Sequence, residues 1–144
     1  MWRLTTTFTG NQQPIDANLE EVDTGGYVRL GAAVTESSGV FTLPSTGFWF
    51  IGFQGTAQKN SGTQHTDIRI ESVISASADV ISKVPIGFTN QDWASGYTSA
   101  LFDCSNTSTH KLQFCVAQSN TANGVRGDSD ESYTSMSFTR LADT

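Results

Sequence analysis

The sequence predicts one all-β domain spanning residues 1–144, built as a sandwich or a barrel. Apolar and polar residues alternate with a period of two in segment after segment, the pattern of half-buried strands. Turn-forming residues interrupt these segments at short, regular intervals. No run rich in Ala, Leu, Glu and Lys is long enough to build a helix, whereas the Thr, Val, Ile and aromatic content suits a pleated surface.

The elements follow in order. Trp2, Leu4, Thr6 and Phe8 alternate with Arg3, Thr5 and Thr7 and predict a first strand. Asn18-Leu19-Glu20-Glu21-Val22 is compatible with a single helical turn. Val28, Leu30, Ala32 and Val34 alternate with Arg29 and Gly31 and predict a second strand. Ile68, Ile70 and Ile74 predict another, as do Leu112, Phe114 and Val116, and finally Met136 and Phe138. Each would turn one face to a core and the other to water or a partner. Turn chemistry sits at Thr24-Gly25-Gly26, Ser37-Ser38-Gly39, Pro44-Ser45-Thr46-Gly47, Asn60-Ser61-Gly62, Ser105-Asn106-Thr107-Ser108 and Asn123-Gly124. Neither an internal repeat nor a shift in composition divides the chain.

One segment breaks the alternation. Phe48-Trp49-Phe50-Ile51 is apolar on both faces, and Phe53 follows Gly52. A strand of this kind must be covered on both sides. In a sandwich the opposite sheet covers one face. The other face is covered by a loop of the same chain, by another copy or by another protein, because an exposed apolar patch marks an interface. Oligomerisation is the expectation carried forward, and which parity faces outward stays open.

Composition excludes several functions. The net charge is −6 and charged residues make up 15% of the chain. An acidic surface repels phosphates, so no nucleic-acid role is expected. The longest apolar runs fall far short of a membrane span. The first residues, Met1-Trp2-Arg3-Leu4-Thr5-Thr6-Thr7, lack the apolar stretch of a signal peptide, so synthesis in a cytoplasm without passage through a secretory channel is expected. Two cysteines, Cys104 and Cys115, read as free thiols of opposite strand parity.

The run Phe41-x5-Gly47-x-Trp49-x-Ile51-x-Phe53 resembles the signature of the C1q/TNF-like family, with Trp49 standing where Tyr is usual and Ile51 where Phe is usual. The segments Leu101-Phe102-Asp103, Leu112–Phe114 and Ser132–Phe138 are similar to the last three strands of that fold. The resemblance implies a two-sheet antiparallel jelly-roll sandwich that assembles as a homotrimer, with the strand carrying the signature beside the three-fold axis. The phrases Trp2-Arg3-Leu4-Thr5-Thr6, Glu36–Gly47 and Ser137-Phe138-Thr139-Arg140-Leu141 are similar to C1q-like heads in proteins of tailed bacteriophages. That likeness implies a virion structural protein, a trimeric knob that decorates or stabilises a capsid. The alternative is a tail-fibre tip or adhesin that binds a host receptor or glycan. The partners implied are two further copies of the chain, other virion proteins such as a major capsid protein, and for the alternative a host surface glycan. Residues expected at the trimer interface are Phe48, Phe50 and Tyr133, with Tyr97. The expected core is Trp49, Ile51, Phe102, Phe114 and Phe138. By the family pattern alone the Trp49 set would face the axis instead.

Catalytic signals are sparse. His65 and His110 lack triad partners in the sequence, and neither a Gly-x-Ser-x-Gly elbow nor a phosphate loop occurs. No enzyme activity and no cofactor are expected. Glu20, Glu21 and Asp23 cluster, as do Asp128, Asp130 and Glu131. Both read as solvated acidic loops, with calcium left open. Arg126-Gly127-Asp128 spells the integrin tripeptide by chance, and Asn106-Thr107-Ser108 is a glycosylation sequon that matters only for a secreted chain. Trp93 and Tyr97 flank a loop-like stretch, either packed beneath it or exposed to stack on sugar rings.

Overall fold

In a computed structural model the described residues are 1–60, 65–88 and 92–144. They form twelve strands and no helix: β1 (Trp2–Leu4), β2 (Phe8–Thr9), β3 (Leu19–Glu21), β4 (Thr35–Ser37), β5 (Val40–Thr42), β6 (Gly47–Gln58), β7 (His65–Ile74), β8 (Ser77–Gly87), β9 (Trp93–Cys104), β10 (His110–Gln118), β11 (Gly124–Val125) and β12 (Ser135–Ala142). Apart from Asn60, the turn expected at 60–62 lies outside the described residues.

Two antiparallel sheets pack into a β-sandwich. In the first, β6 is central. It pairs with β9 along its whole length on one side, and with β12 and then β11 on the other. Beyond β12 lie β1 and β3, and beyond β11 lies β2. The second sheet runs β4-β5-β10-β7-β8. The core between the sheets is built from the apolar parity of each strand. Leu4, Phe41, Ile51, Phe53, Ile68, Ile70, Leu112, Phe114, Val116 and Met136 are all fully buried. Phe114 is its hub, with ring centroids of Phe41 and Phe53 each 5.1 Å away and Phe138 at 5.7 Å. Such tilted aromatic pairs add roughly 0.5–1.5 kcal/mol each beyond the area they bury.

Turn residues set the register. Ser38 and Gly39 both take positive φ between β4 and β5, the two-residue turn that matches strand twist. Gly47, at φ +136°, begins β6 where a side chain would strike the Ala142 carbonyl and the Arg140 guanidinium, so only glycine fits there.

Three expectations for secondary structure are corrected. Leu19–Glu21 is extended and pairs with Trp2–Leu4, because a five-residue helix lacks the hydrogen bonds to sustain itself while an open sheet edge supplies them. Trp93–Tyr97 is not a loop but the first half of β9, paired with Gln54–Gln58. Val28–Val34 is not a strand. Gly25, Gly26 and Gly31 adopt positive φ around it, a backbone that a ladder cannot hold. Only Val34 reaches the core, and Val28 and Leu30 stand 75% and 94% exposed.

Arg3 breaks the alternation in the opposite sense. The alternation of β1 puts it on the face turned to water or a partner, yet it is 1% exposed. Its Nε donates to Glu20 Oε1 at 2.7 Å, Nη2 to Asp23 Oδ1 at 3.1 Å, and Nη1 to Thr24 Oγ1 at 2.8 Å and the Asp130 carbonyl at 3.1 Å. A guanidinium tolerates burial when its donors are met this fully. The first acidic cluster is therefore largely the counter-charge of Arg3.

Candidate interaction surface

The parity of β6 is settled by burial. Trp49, Ile51 and Phe53 face the core, while Phe48, Phe50 and Gln54 face outward. No loop of the described residues covers the outward side, and Phe48 and Phe50 remain 37% and 40% exposed. Strand pairing extends this surface sideways. Phe50 stands opposite Leu101 on β9 and Thr139 on β12. Leu101 is more exposed than either phenylalanine. Gln54 stands opposite Tyr97.

Gly52 shapes the centre of this face. A Cβ placed there would lie 2.5 Å from both Tyr97 Oη and Ser137 Oγ, and 3.1 Å from Tyr97 Cε2. Tyr97 thus lies flat across β6 in the space that Gly52 leaves, its hydroxyl beside that of Ser137. The result is an apolar ribbon of Phe48, Phe50, Leu101 and Tyr97 along the two longest strands, walled on the β12 side by Ser135, Ser137 and Thr139. Singly exposed apolar residues are ordinary, but a contiguous set on a flat sheet marks a contact surface.

The ribbon continues into a second aromatic group. Tyr133 precedes β12 and is half-buried. The Arg126 guanidinium carbon lies 3.4 Å from its ring centroid and 5.0 Å from that of Trp93. A hydrogen bond with Glu131 raises the Tyr133 phenol above its usual pKa, with desolvation adding to it. Thr56 Oγ1 donates to the Tyr133 carbonyl and exchanges a hydrogen bond with Ser95 Oγ, which pins this corner to the sheet. Of the four residues expected at an interface, the structure therefore places Phe48, Phe50 and Tyr97 on one face, with Tyr133 at its end. Sequence reasoning did not single out Leu101, although its parity on a β9 strand would have indicated it. Of the expected core, Trp49, Ile51, Phe102 and Phe114 are buried, and Phe138 is half-buried against the core cluster.

The second sheet offers another apolar patch. The β7–β8 hairpin turns through Ser75 and Ala76, both at positive φ. Ile74, Val80 and Ile81 are exposed beside that turn. β8 is the last strand of its sheet and runs close to β9 of the other, with Ser82 Oγ hydrogen-bonded to Thr98 Oγ1.

The two histidines and Asp128 have structural partners. His110 has Ser105 Oγ 3.1 Å from Nε2 and Thr109 Oγ1 3.0 Å from Nδ1, both from its own turn. His65 Nε2 lies 3.8 Å from Asp67, a carboxylate also held by Lys83 at 3.2 Å and Arg69 at 3.7 Å. Asp128 accepts the backbone N–H groups of Asp130 and Glu131, which lowers its pKa, and Gly127 presses on the backbone of Thr6. The integrin-like tripeptide is thus a packed connection. No group of three or more metal-ligating side chains converges among the described residues. Cys104 and Cys115 are free and buried. Burial, then the Glu71 carboxylate, pushes the Cys115 thiol up to about 12.

What the fold and this surface define is a β-sandwich domain whose central strand is apolar on both sides and open on one. No protein-family model matches the chain, and no curated protein matches it in sequence.

Proposed function

We propose that the protein is a homotrimeric jelly-roll knob that decorates or stabilises a phage capsid. The observation that carries this reading is the uncovered apolar ribbon of Phe48, Phe50, Leu101 and Tyr97 on the longest strands of the first sheet. The strand order supports a jelly roll. β3-β1-β12-β6-β9 facing β4-β5-β10-β7-β8 sets the first and last strands side by side in one layer and places β10 between the earlier β5 and β7 in the other. A three-fold ring needs two different, complementary surfaces on every copy. The ribbon is one, and the β8 edge with Val80 and Ile81 is the other. Mechanistically, three copies shield one another's apolar surface and present three identical outer sheets. One trimer then docks trivalently, with an avidity that a single copy lacks. The location on a virion rests on the resemblance in Trp2–Thr6, Glu36–Gly47 and Ser137–Leu141, which physics does not supply.

The test has two stages. Light scattering on a sizing column reads the mass, and three times the 15.5 kDa protomer, stable on dilution, supports the trimer. Co-sedimentation with capsids assembled from the phage's major capsid protein then reads docking, and saturable binding is expected. A monomer at all concentrations ends the first reading, and failure to co-sediment ends the second.

One observation favours the tail-fibre or adhesin alternative. Trp93 is partly exposed at the end of the ribbon, its indole held in place by Arg126, and a fixed exposed indole is a stacking platform for a sugar ring. Glycan-array binding that Trp93→Ala abolishes would favour this alternative over capsid decoration.

A further inference from the structure

Where residues 27–34 leave the sheet, they do not collapse onto it. Together with the start of β1, the start of β6 and the middle of β12 they line an open pocket of about 500 Å³, within the range that accepts a small organic ligand. Its apolar lining includes four aromatic residues, Trp2, Tyr27, Trp49 and Phe138. The charged side chains in the lining are Arg29, Arg140 and Glu21, and the Met1 ammonium stands there too, bonded to the Tyr27 hydroxyl, so cationic groups outnumber the one carboxylate in a chain of net charge −6. Neither guanidinium is saturated. Arg29 donates through Nε to the Gly31 carbonyl and through Nη1 to Glu21 at 2.6 Å, which leaves Nη2 without a partner among the described residues. Arg140 donates through Nε to the Thr46 carbonyl and through Nη2 to the exposed Asp143, which leaves Nη1 without a partner among the described residues. The cavity therefore joins flat apolar walls to two cationic groups with spare donors.

We propose that this cavity binds a small aromatic anion, with a planar apolar body against Trp2, Trp49 and Phe138 and a carboxylate or sulfonate met by Arg29 and Arg140. Flat rings complement the indole and phenyl walls, and a planar acid group can take two parallel N–H donors from a guanidinium. Binding also covers apolar surface of Val28 and Leu30, which the free chain leaves in water. This site goes beyond the trimer reading and does not rest on it.

The probe is 8-anilinonaphthalene-1-sulfonate, an aromatic sulfonate whose fluorescence rises on leaving water. Its uncharged relative N-phenyl-1-naphthylamine serves as the comparison. The parent protein is expected to bind the sulfonate saturably, one per chain. Ala32→Trp, an exposed position in the lining, fills the cavity and weakens binding by about tenfold or more. Pro44→Trp, also in the lining, does the same from another wall and guards against a local effect of the first variant. Arg29→Gln combined with Arg140→Gln weakens the sulfonate about tenfold while leaving the uncharged probe within about twofold. Phe50→Ser, which alters the outer sheet face, retains the signal. Cooperative thermal unfolding of each variant shows that the fluorescence comes from folded protein. Absence of saturable binding, parental binding by both tryptophan variants, or loss of signal in Phe50→Ser overturns the site. Equal weakening of both probes by the arginine variant overturns the anionic half of the assignment.

Discussion

Phe50→Ser tests the ribbon directly, and the structure sets the size of the effect. Phe50 is 40% exposed. For an aromatic side chain that buries on the order of 200 Å², this leaves roughly 80 Å² for a neighbouring copy to cover. At about 25 cal/mol per Å² the contact stabilises each interface by about 2 kcal/mol. A ring of three has three such contacts, so the loss is about 6 kcal/mol per trimer, or about four orders of magnitude in its dissociation constant. The rest of the ring is covered within the chain, beside Leu101 and Thr139, so the folded protomer loses a further ~1–3 kcal/mol. That is less than the 5–15 kcal/mol that typically holds a domain, so the variant folds. Light scattering over a dilution series reads the mass, and near-ultraviolet circular dichroism confirms the fold. The parent should stay trimeric where Phe50→Ser is a folded monomer. Phe53→Ser, the same change at a core position, should cost about 3–5 kcal/mol of fold stability instead. A Phe50→Ser trimer as persistent as the parent would refute the reasoning.

Three further outcomes follow from the same geometry. Gly52→Ala should evict Tyr97 from the face, changing tyrosine near-ultraviolet dichroism and weakening self-association while shifting the thermal midpoint by only a few degrees. Arg3→Ala should cost about 3–5 kcal/mol in denaturant unfolding, because Glu20 is left partly buried without its cation, whereas Arg140→Ala, at an exposed pair, should cost less than about 1 kcal/mol. The Cys115 thiol is raised from about 9 to about 12 by folding, so its contribution is complete below pH 9 and is lost as pH rises toward 12. Unfolding measured between pH 8 and about 10.5 should fall more steeply for the parent than for Cys115→Ala, and neither thiol should react with a bulky disulfide reagent at pH 8 without denaturant.

The legible parts of the fold were those written in local alternation. Leu112–Val116, Ile68–Ile70 and Met136 announced their buried faces because each parity was wholly apolar. The double-sided Phe48–Phe53 run implies an apolar face turned away from the core, and Phe48 and Phe50 are exposed there. What was hidden depended on contacts distant in sequence. Burial of Arg3 requires Glu20, Asp23 and the Asp130 carbonyl, which come together only in three dimensions. Val28, Leu30 and Ala32 mimic a strand, and only the three positive-φ glycines around them reveal otherwise. Parity along β6 was ambiguous because both of its faces are apolar, and the packing of Phe53 against Phe114 decides it.

The central strand also dictates an order of events during synthesis. β6 needs β9 on one flank and β12 on the other, and β12 ends at Ala142. A ribosome-bound chain with β6 already outside the exit tunnel must leave one flank of that strand unpaired until β12 emerges. Long-range pairings of this kind fold slowly and leave sticky intermediates. The β7–β8 hairpin closes locally in the meantime. Yield in a heterologous host should accordingly depend on chaperone supply and growth temperature more than on the stability of the finished fold.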